Sequence, residues 1–208
     1  TLLSMILTIL GAYVLSLKNL PGRKFITMFF VFTMLFSGGL VPTYLVVSGL
    51  GLIDTLWALV LPSAISTYNM VLMRNFFQSV PDSLYEAASI DGENMVGYLF
   101  HFLLPLSGAA IATITLFSVV GYWNDYFSAV MYLKNEEMYP IAMLLRKMLV
   151  LLDGTGVKGM VIRSGTSAVN SRTAKCAAVI ITMIPIMMIY PFLQKHFAKG
   201  LLVGSVKG

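Results

Sequence analysis

Long stretches without a charged residue divide the chain into five apolar segments. Residues 1–17, 25–53, 55–73, 94–124 and 176–194 contain no Asp, Glu, Lys or Arg. A helix that crosses a bilayer needs about 20 mostly apolar residues, with a range of about 17–25. Each segment meets this requirement, so the pattern predicts an all-α bundle of five membrane-spanning helices. Glycine and proline inside these runs are tolerated in lipid where neighbouring helices satisfy the freed backbone groups.

The composition supports a membrane protein and argues against several other classes. Of the 208 residues, 58% are hydrophobic and 11% are charged, less than half the share of about 25% that is usual in soluble domains. The net charge of +5 is not concentrated in a basic run that would bind nucleic acid. The single cysteine, Cys176, excludes an internal disulfide and a cysteine metal cluster. No nucleophile–base or metal-ligand constellation points to an enzyme.

Positive charge near the first segments predicts the orientation in the membrane. The turn at residues 18–24 carries three positive charges, and short positive loops remain in the cytoplasm. Asp54 then lies in an external turn, and alternation assigns residues 75–102 to the cytoplasm and 126–175 to the exterior. The 14 Lys and Arg residues divide equally between the two sides. The orientation therefore depends on giving the short turn more weight than the longer loops.

One stretch of the external segment has helical periodicity. Its apolar residues at helical spacing are Ile141, Leu144, Leu145, Met148, Leu149 and Leu152. Arg146 and Lys147 lie off that stripe, which favours an amphipathic helix at the membrane face. The alternative is a sixth spanning helix, but it would place two adjacent charges near its centre at high cost. Gly154-Thr155-Gly156 is predicted to end the helix.

The predicted cytoplasmic loop at residues 79–105 has the most specific pattern in the chain. Ser79, with Asp82 three residues later, has the spacing of a capping box at the start of a helix. A helix of about three turns would then reach Asp91. Gly92 is predicted to end it, because glycine adopts the left-handed backbone that a β-carbon resists.

The second half of this loop is also amphipathic. Four of its residues share one stripe: Met95, Tyr98, Leu99 and Phe102. The stretch enters the next span at Pro105, and the acidic residues of the loop are not accompanied by any Lys or Arg. Ala87 and Ala88 give the first helix a slim surface that would fit a groove in another protein. From the residues alone, docking to a partner and a solvated connector are about equally favoured.

The loop resembles the EAA loop of ABC importer permeases. That pattern runs Glu-Ala-Ala, three residues, Gly, nine residues, Ile, one residue, Leu-Pro; here Phe102 replaces the isoleucine. The resemblance implies that the loop is a coupling helix held in a cleft of a cytoplasmic ATPase subunit, with Glu86 as a contact and Gly92 as the corner. The expected coupling residues are Glu86, Ala87, Ala88, Asp91, Gly92, Leu104 and Pro105.

Other segments extend the resemblance to nearly the whole chain. Residues 20–24, 37–44, 123–125 and 190–208 resemble the carbohydrate-uptake branch, the maltose-type second permease, and within it the permeases for complex oligosaccharides. The implied fold is the ABC importer type I permease fold, a polytopic transmembrane helix bundle that forms a single domain over residues 1–208. Five spanning helices are expected here, with the first spanning helix of the family preceding the sequence.

The resemblance also implies partners and a mechanism. The protein is expected to be a multi-pass permease of the bacterial cytoplasmic membrane, in contact with lipid and with a second homologous permease. Cytoplasmic ATPase subunits would bind ATP and magnesium, and an extracytoplasmic sugar-binding protein would deliver the substrate. The chain itself would hold no cofactor or metal and bind no nucleic acid. Closure of the ATPases would rock the two permease halves between inward-open and outward-open states.

An aromatic and polar cluster at the outer end of the fourth predicted span is a candidate for contact with substrate. Its members are Tyr122, Trp123, Asn124 and Asp125. Sugars stack on aromatic rings and form hydrogen bonds with amides and carboxylates, and this cluster offers all three. The alternative is an interfacial belt, because Trp and Tyr are enriched at both membrane surfaces. The small polar residues at 66–69 are weaker candidates, because such residues more often join helices.

Two other functions are left open by the residues. An ABC permease for amino acids, peptides or phosphate would share the Glu-Ala-Ala loop but should lack the Trp-Asn-Asp cluster and this tail. A proton- or sodium-driven carrier usually needs ionisable groups inside the bilayer. The charge-free segments supply none, which makes a carrier the weaker of the two alternatives.

Overall fold

The computed structural model describes residues 1–153 and 171–204, in which helices alternate with turns and no strand occurs. The α-helices, in chain order, are α1 (Leu2–Ser16), α2 (Arg23–Leu35), α3 (Leu40–Gly49), α4 (Trp57–Val60), α5 (Thr67–Ser79), α6 (Asp82–Ile90), α7 (Met95–Gly97), α8 (Leu104–Leu106), α9 (Gly108–Asn124), α10 (Phe127–Tyr132), α11 (Ile141–Asp153) and α12 (Ser171–Gly204). A π-helical segment, Tyr98–Leu103, joins α7 to α8, and a 3₁₀ turn covers Glu136–Met138. The all-α prediction is confirmed.

The main core forms where α1 packs along α5. Ala12 and Met73 are fully buried there. Gly11 faces Met70 so closely that an added β-carbon would lie 3.0 Å from its Cε atom. Small residues of this kind allow two helix backbones to approach each other. The same core continues into α6, the π-helical segment and α9 through Ala88, Tyr98, Leu99, Leu103 and Ile114.

The second charge-free segment is not the straight span that the sequence predicts. It divides into α2 and α3, whose axes differ by 109°. Phe36 takes an extended conformation at the end of α2, and Gly39 precedes α3 with a φ of +88°. The Gly38–Gly39 pair allows this sharp bend because neither residue carries a side chain.

The third segment is also interrupted. The short α4 ends at Val60, and α5 begins only at Thr67. Pro62 lies in the break, where it cannot donate a helical hydrogen bond. The Ser66 hydroxyl then caps α5 by accepting the backbone N–H of Asn69 at 3.3 Å. The helix continues to Ser79, beyond the predicted end of this span at Arg74.

The fourth segment bends by 81° between Met95–Leu106 and α9. The break falls at Ser107, whose hydroxyl donates to the carbonyl oxygen of Leu103 at 2.6 Å. No single helix in the described ranges has both the length and the apolar composition to cross a bilayer. The pair α2–α3 and the pair Met95–Leu106 with α9 pass that test as bent units.

The amphipathic helix predicted in the external segment is present as α11. It packs against α12, and Leu145 and Leu149 line the cleft between α11, α12 and α9. Ile141 of the predicted stripe also lines this cleft, whereas Leu144 and Met148 are exposed and do not; Arg146, which was predicted to lie off the stripe, lines it as well. The Arg146 guanidinium lies over the ring of Tyr126, 4.4 Å from its centroid, a contact that a pattern of apolar and charged residues does not predict. The predicted stop at 154–156 lies outside the described residues.

Candidate functional site

Helix α6 is the centre of the predicted coupling loop, and it starts differently from the prediction. Asp82 is its first residue, and Pro81 precedes it in extended backbone. The Ser79 hydroxyl does not cap the helix, because it donates to the carbonyl oxygen of Phe76 at 2.7 Å. Asp82 still suits this position, because a carboxylate in the first turn interacts favourably with the helix dipole. The capping-box prediction is therefore wrong, since α5 reaches Ser79 and uses its hydroxyl.

The two faces of α6 have opposite environments. Ala88 is 2% exposed and belongs to the main core. Beside it the Tyr85 ring meets the Tyr98 ring edge-on, with centroids 5.0 Å apart. On the other face Glu86 and Ala87 are exposed, and Ile90 is 86% exposed. The paired alanines thus have different environments, one inside the protein and one on its surface.

The corner after α6 has the hydrogen bonds of a Schellman motif. The Glu93 N–H donates to the Ala88 carbonyl oxygen at 3.0 Å, and the Gly92 N–H donates to that of Ser89 at 3.2 Å. Gly92 has a φ of +86°, the left-handed conformation that the sequence predicts. Asp91 caps the helix and is exposed with Gly92. These bonds satisfy the last carbonyls of α6 and fix the direction of the chain beyond it.

A contact that the sequence analysis missed stabilises the chain after the corner. The Glu93 carboxylate reaches Nδ1 of His101 at 2.8 Å and crosses over Gly97 on the way. A β-carbon at Gly97 would collide with that carboxylate. The Asn94 side chain accepts the Gly97 N–H at 2.7 Å and so caps α7. The spacing of eight residues between Glu93 and His101 gives no helical signal, which is why the pair was not predicted.

Leu104 and Pro105 follow the π-helical segment. The Leu104 N–H bonds to the carbonyl oxygen of Leu99, five residues back. A proline cannot donate, and its ring collides with the carbonyl oxygen four residues earlier in an α-helix. The wider π turn accommodates Pro105, as such turns do at helix distortions. Leu104 packs against the main core, and Pro105 is exposed.

Glu86 also lines a cleft of about 810 Å³ between α6 and the turn at residues 17–22. Lys18 and Arg23 lie on the side of that turn, and Asp82 lies with Glu86 on the side of α6. The candidate site is therefore a helix anchored by Ala88, with an exposed face and a cleft of mixed charge beside it. Charges of both signs at an open surface suit contact with another protein.

The four residues of the outer cluster have separate environments. The Tyr122 hydroxyl donates to the Ser63 carbonyl oxygen at 2.7 Å, and Trp123 Nε1 donates to that of Thr182 at 3.2 Å. The Asn124 amide donates to the Val120 carbonyl oxygen in its own helix at 2.9 Å. The Asp125 carboxylate accepts the Ser128 N–H at 3.1 Å at the start of α10. Trp123 and Asn124 line the cleft of about 880 Å³ between α9, α11 and α12, and Tyr122 and Asp125 do not.

Two of the weaker candidates at 66–69, Ser66 and Asn69, have structural roles. Asn69 is buried, and its side-chain amide donates to the hydroxyl of Ser118 on α9 at 3.4 Å. Ser66 caps α5. The interpretation of these residues as polar contacts between helices is confirmed for Asn69.

These features define a bundle of apolar helices of the kind found in membrane proteins. Helix α6, which is packed into the core through Ala88 and is followed by the corner at Gly92, lies at the surface of this bundle. The family model for the binding-protein-dependent transport system inner membrane component matches residues 4–203. The chain belongs to this family. It is an inner membrane permease subunit of an ABC transporter and a transport subunit rather than a catalyst. The family predicted from the EAA loop is confirmed.

Relatives and a solved structure agree with this assignment. The polygalacturonan/rhamnogalacturonan transport system permease protein YtcP of Bacillus subtilis (strain 168) is 49% identical over 100% of this chain and 72% of its own length. The sn-glycerol-3-phosphate transport system permease protein UgpE of Pectobacterium atrosepticum is 30% identical over 94% of this chain and 65% of its own length. The crystal structure of a bacterial ABC transporter involved in the import of the acidic polysaccharide alginate matches with a TM-score of 0.86. The matched chain of that structure is 34% identical, and the match covers 95% of the present chain and 70% of the matched chain.

Proposed function

We propose that this permease couples ATP hydrolysis by cytoplasmic ATPase subunits to the import of oligosaccharides, through the loop at residues 79–105. The observation that carries the proposal is the contrast between the two faces of α6. Ala88 holds the helix in the main core, and Glu86, Ala87 and Ile90 are left exposed on the opposite face. A helix with one anchored face and one free face suits insertion into a groove of a partner.

The chain after α6 supports the transmission of a displacement. The Schellman motif at Gly92 joins α6 to α7 with fixed geometry. Tyr98 and Leu99 follow in the π-helical segment and are buried in the core shared with α1 and α5. A force applied to the exposed face of α6 is therefore passed to packed side chains, which transmit strain because interiors are close-packed.

The proposed topology has five passes within one transmembrane domain, residues 1–208. Helices α1 and α12 are single passes, α2–α3 and Met95–Leu106 with α9 are bent passes, and α4 with α5 forms the remaining one. The loop at 79–105 faces the cytoplasm, where the ATPase subunits bind ATP and magnesium. The segment at 126–175 faces the extracytoplasmic sugar-binding protein, and the apolar flanks face lipid and a second permease.

The substrate class rests on the relatives and on the outer cluster. A polygalacturonan/rhamnogalacturonan permease is similar over the whole chain, and the alginate transporter structure matches closely. Alginate is an acidic polysaccharide, and polygalacturonan is a polymer of galacturonic acid, so we propose an acidic oligosaccharide as substrate. Trp123 and Asn124 are the members of the cluster proposed to contact it, because both line an open cleft. The sn-glycerol-3-phosphate permease makes a phosphorylated solute the second candidate.

Two measurements test this function in the complete complex with its ATPases, second permease and binding protein. Uptake of a labelled oligogalacturonate should exceed uptake of labelled glycerol 3-phosphate, and the reverse order would favour the second candidate. Glu86→Lys and Gly92→Pro should each abolish ATPase capture or uncouple hydrolysis from uptake. Proline cannot adopt a φ of +86° and would lose the N–H bond to Ser89. Normal capture and uptake in both variants would contradict the proposal.

A further inference from the structure

The C-terminal end of α1 touches both halves of the loop at 79–105. Lys18, just beyond α1, forms an ion pair with the carboxylate of Asp82. Tyr13, in the last turn of α1, donates its hydroxyl hydrogen to the carbonyl oxygen of Met95 at 2.6 Å. Asp82 begins α6 and Met95 begins α7. The two contacts therefore lie on either side of the corner at Gly92.

The end of α1 is itself firmly held. Tyr13 and Leu15 are buried in the main core. The Arg74 Nε–H of α5 donates to the Leu15 carbonyl oxygen at 3.1 Å. Arg23 of α2 lies 3.5 Å from the carbonyl oxygens of Ser16 and Leu17. Cations that bind the last carbonyls of a helix satisfy unpaired acceptors and oppose the negative end of the dipole.

The ion pair contributes little to the stability of the fold. The side chains of Lys18 and Asp82 are 71% and 63% exposed. Pairs this exposed are screened by water and ions, and many contribute almost nothing to folding. The position of the Lys18–Asp82 pair suggests a role other than stability. The pair links α1 to the loop at 79–105, which is not adjacent to α1 along the chain. The loop is continuous only with α5 on one side and α8–α9 on the other.

We infer that α1 is a second receiver of the motion of the coupling loop, attached to it through Lys18–Asp82 and Tyr13–Met95. This inference rests on the proposed function. Lys18 and Tyr13 are positioning residues that hold the loop against α1, so that a displacement of α6 moves α1 together with α5 and α9. Without them the loop is held against α1 by the shared core packing alone, and ATP is hydrolysed with less movement of α1.

The test follows α1 directly and needs no transported substrate. One spin label is placed on Ile6→Cys in α1, at an exposed side chain, and the other on a surface cysteine of the second permease, with Cys176→Ser as background. The complete complex in lipid vesicles receives ATP and vanadate, and the label–label distance is measured before and after. We expect an ATP-driven distance change in the parent protein. Tyr13→Phe should lower the fraction of molecules that show it by about two- to fivefold, the equilibrium weight of one hydrogen bond. Lys18→Glu should lower the same fraction, because it places two negative charges next to each other.

Three controls make the result decisive. Lys24→Glu reverses a charge in the same turn, where Lys24 has no ion pair within the described part of the chain, and should retain the distance change. The exchange Lys18→Asp with Asp82→Lys should restore it. If Lys18→Glu impairs assembly, Tyr13→Phe decides, because it removes one hydroxyl only. An unchanged response in Tyr13→Phe, or no ATP-driven change in the parent complex, overturns the inference.

The proposed function fails in a different way. If the Glu86→Lys and Gly92→Pro complexes still capture the ATPases and respond to ATP as the parent does, the coupling role of the loop is wrong. If those two variants lose the response while Lys18→Glu and Tyr13→Phe keep it, only the role of α1 is wrong. The two results are therefore distinguishable in one set of preparations.

Discussion

One carboxylate oxygen of Asp54 accepts the backbone N–H of Asn135 at 2.8 Å. The same oxygen accepts the Lys134 N–H at 2.8 Å, and the Asp54 N–H donates to the Tyr132 carbonyl oxygen at 2.8 Å. Asp54 has a φ of +63°, which few non-glycine residues adopt. These bonds fasten the turn before α4 to the chain that follows α10. The sequence marked Asp54 only as the acidic residue of an external turn.

Substitutions at Asp54 separate its backbone conformation from its hydrogen bonds. Asp54→Gly keeps the positive φ without strain but removes both side-chain acceptor contacts. Asp54→Asn retains an acceptor oxygen and also tolerates left-handed backbone. We therefore expect a lower melting temperature for Asp54→Gly than for Asp54→Asn in detergent. Equal melting of both variants and the parent would show that the two N–H contacts do not matter.

The Asp54 bonds also predict a dependence on pH. The N–H groups of Asn135 and Lys134 hold the pKa of the Asp54 carboxyl below its ordinary value, because they stabilise the charged form. A lowered pKa in the folded state adds stability above the unfolded value of about 3.9. That stability is lost as the pH falls through the lower folded pKa. The melting difference between the parent and Asp54→Asn should be constant from about pH 8 to 5 and shrink below about pH 4.

The paired alanines of α6 should respond differently to the same substitution. Ala88→Leu forces extra atoms into the packed core and should destabilise the protein by about 1–3 kcal/mol. Ala87→Leu adds them to an exposed position and should leave melting unchanged. In the proposed docking mode, Ala87→Leu should instead weaken capture of the ATPase by obstructing its groove. Thermal melting and pull-down of the ATPase, applied to both variants, check the two expectations, and normal capture by Ala87→Leu would count against docking of this face.

Ile90 allows a second test of the exposed face of α6. Unlike Ala87→Leu, a substitution at Ile90 need not add bulk to that face. Its side chain is almost fully exposed beside Glu86, so Ile90→Asp should not alter melting. If Ile90 enters an apolar pocket of the ATPase, burying a carboxylate there should weaken capture by about 30-fold or more, the effect of losing a hot-spot contact of about 2 kcal/mol. Val96→Asp, at an exposed apolar residue of α7 in the same loop, is the matched control. Equal capture by the two variants would remove Ile90 from the interface.

The sequence predicted those features of the site that follow from the type of a single residue. Gly92 is an example, since its left-handed φ follows from the position of a glycine after an amphipathic turn. The apolar segments likewise predicted the helices, because burial in lipid or protein imposes the same requirement along a whole span. Gly38–Gly39 and Pro105 were visible in the sequence, but the presence of a glycine pair or a proline does not predict the size of the bends near them, 109° and 81°.

Contacts between distant residues were beyond the sequence. The Ser79 capping box failed because α5 uses the same hydroxyl, a competition between two helices that a local pattern does not contain. The Glu93–His101 and Asp54–Asn135 contacts have no periodic spacing. Ile90 was the avoidable omission, because it lies one helical turn after Glu86 and its exposure follows from the position of Ala88 on the opposite face.

Asn124 gives the sharpest test of the proposed substrate pathway. Its amide donates to the Val120 carbonyl oxygen within α9, and its side chain is exposed, so Asn124→Ala should leave melting unchanged. Trp123→Phe should lower stability by about 1 kcal/mol, because it loses the donor to Thr182. If the cluster contacts sugar, Asn124→Ala should raise the KM for oligogalacturonate uptake, because a hydroxyl of the substrate loses its partner. Trp57→Phe, at the other tryptophan, is the control. If the Asn124→Ala variant and the Trp123→Phe variant both keep the parent KM, the cluster belongs instead to the aromatic belt at the membrane surface.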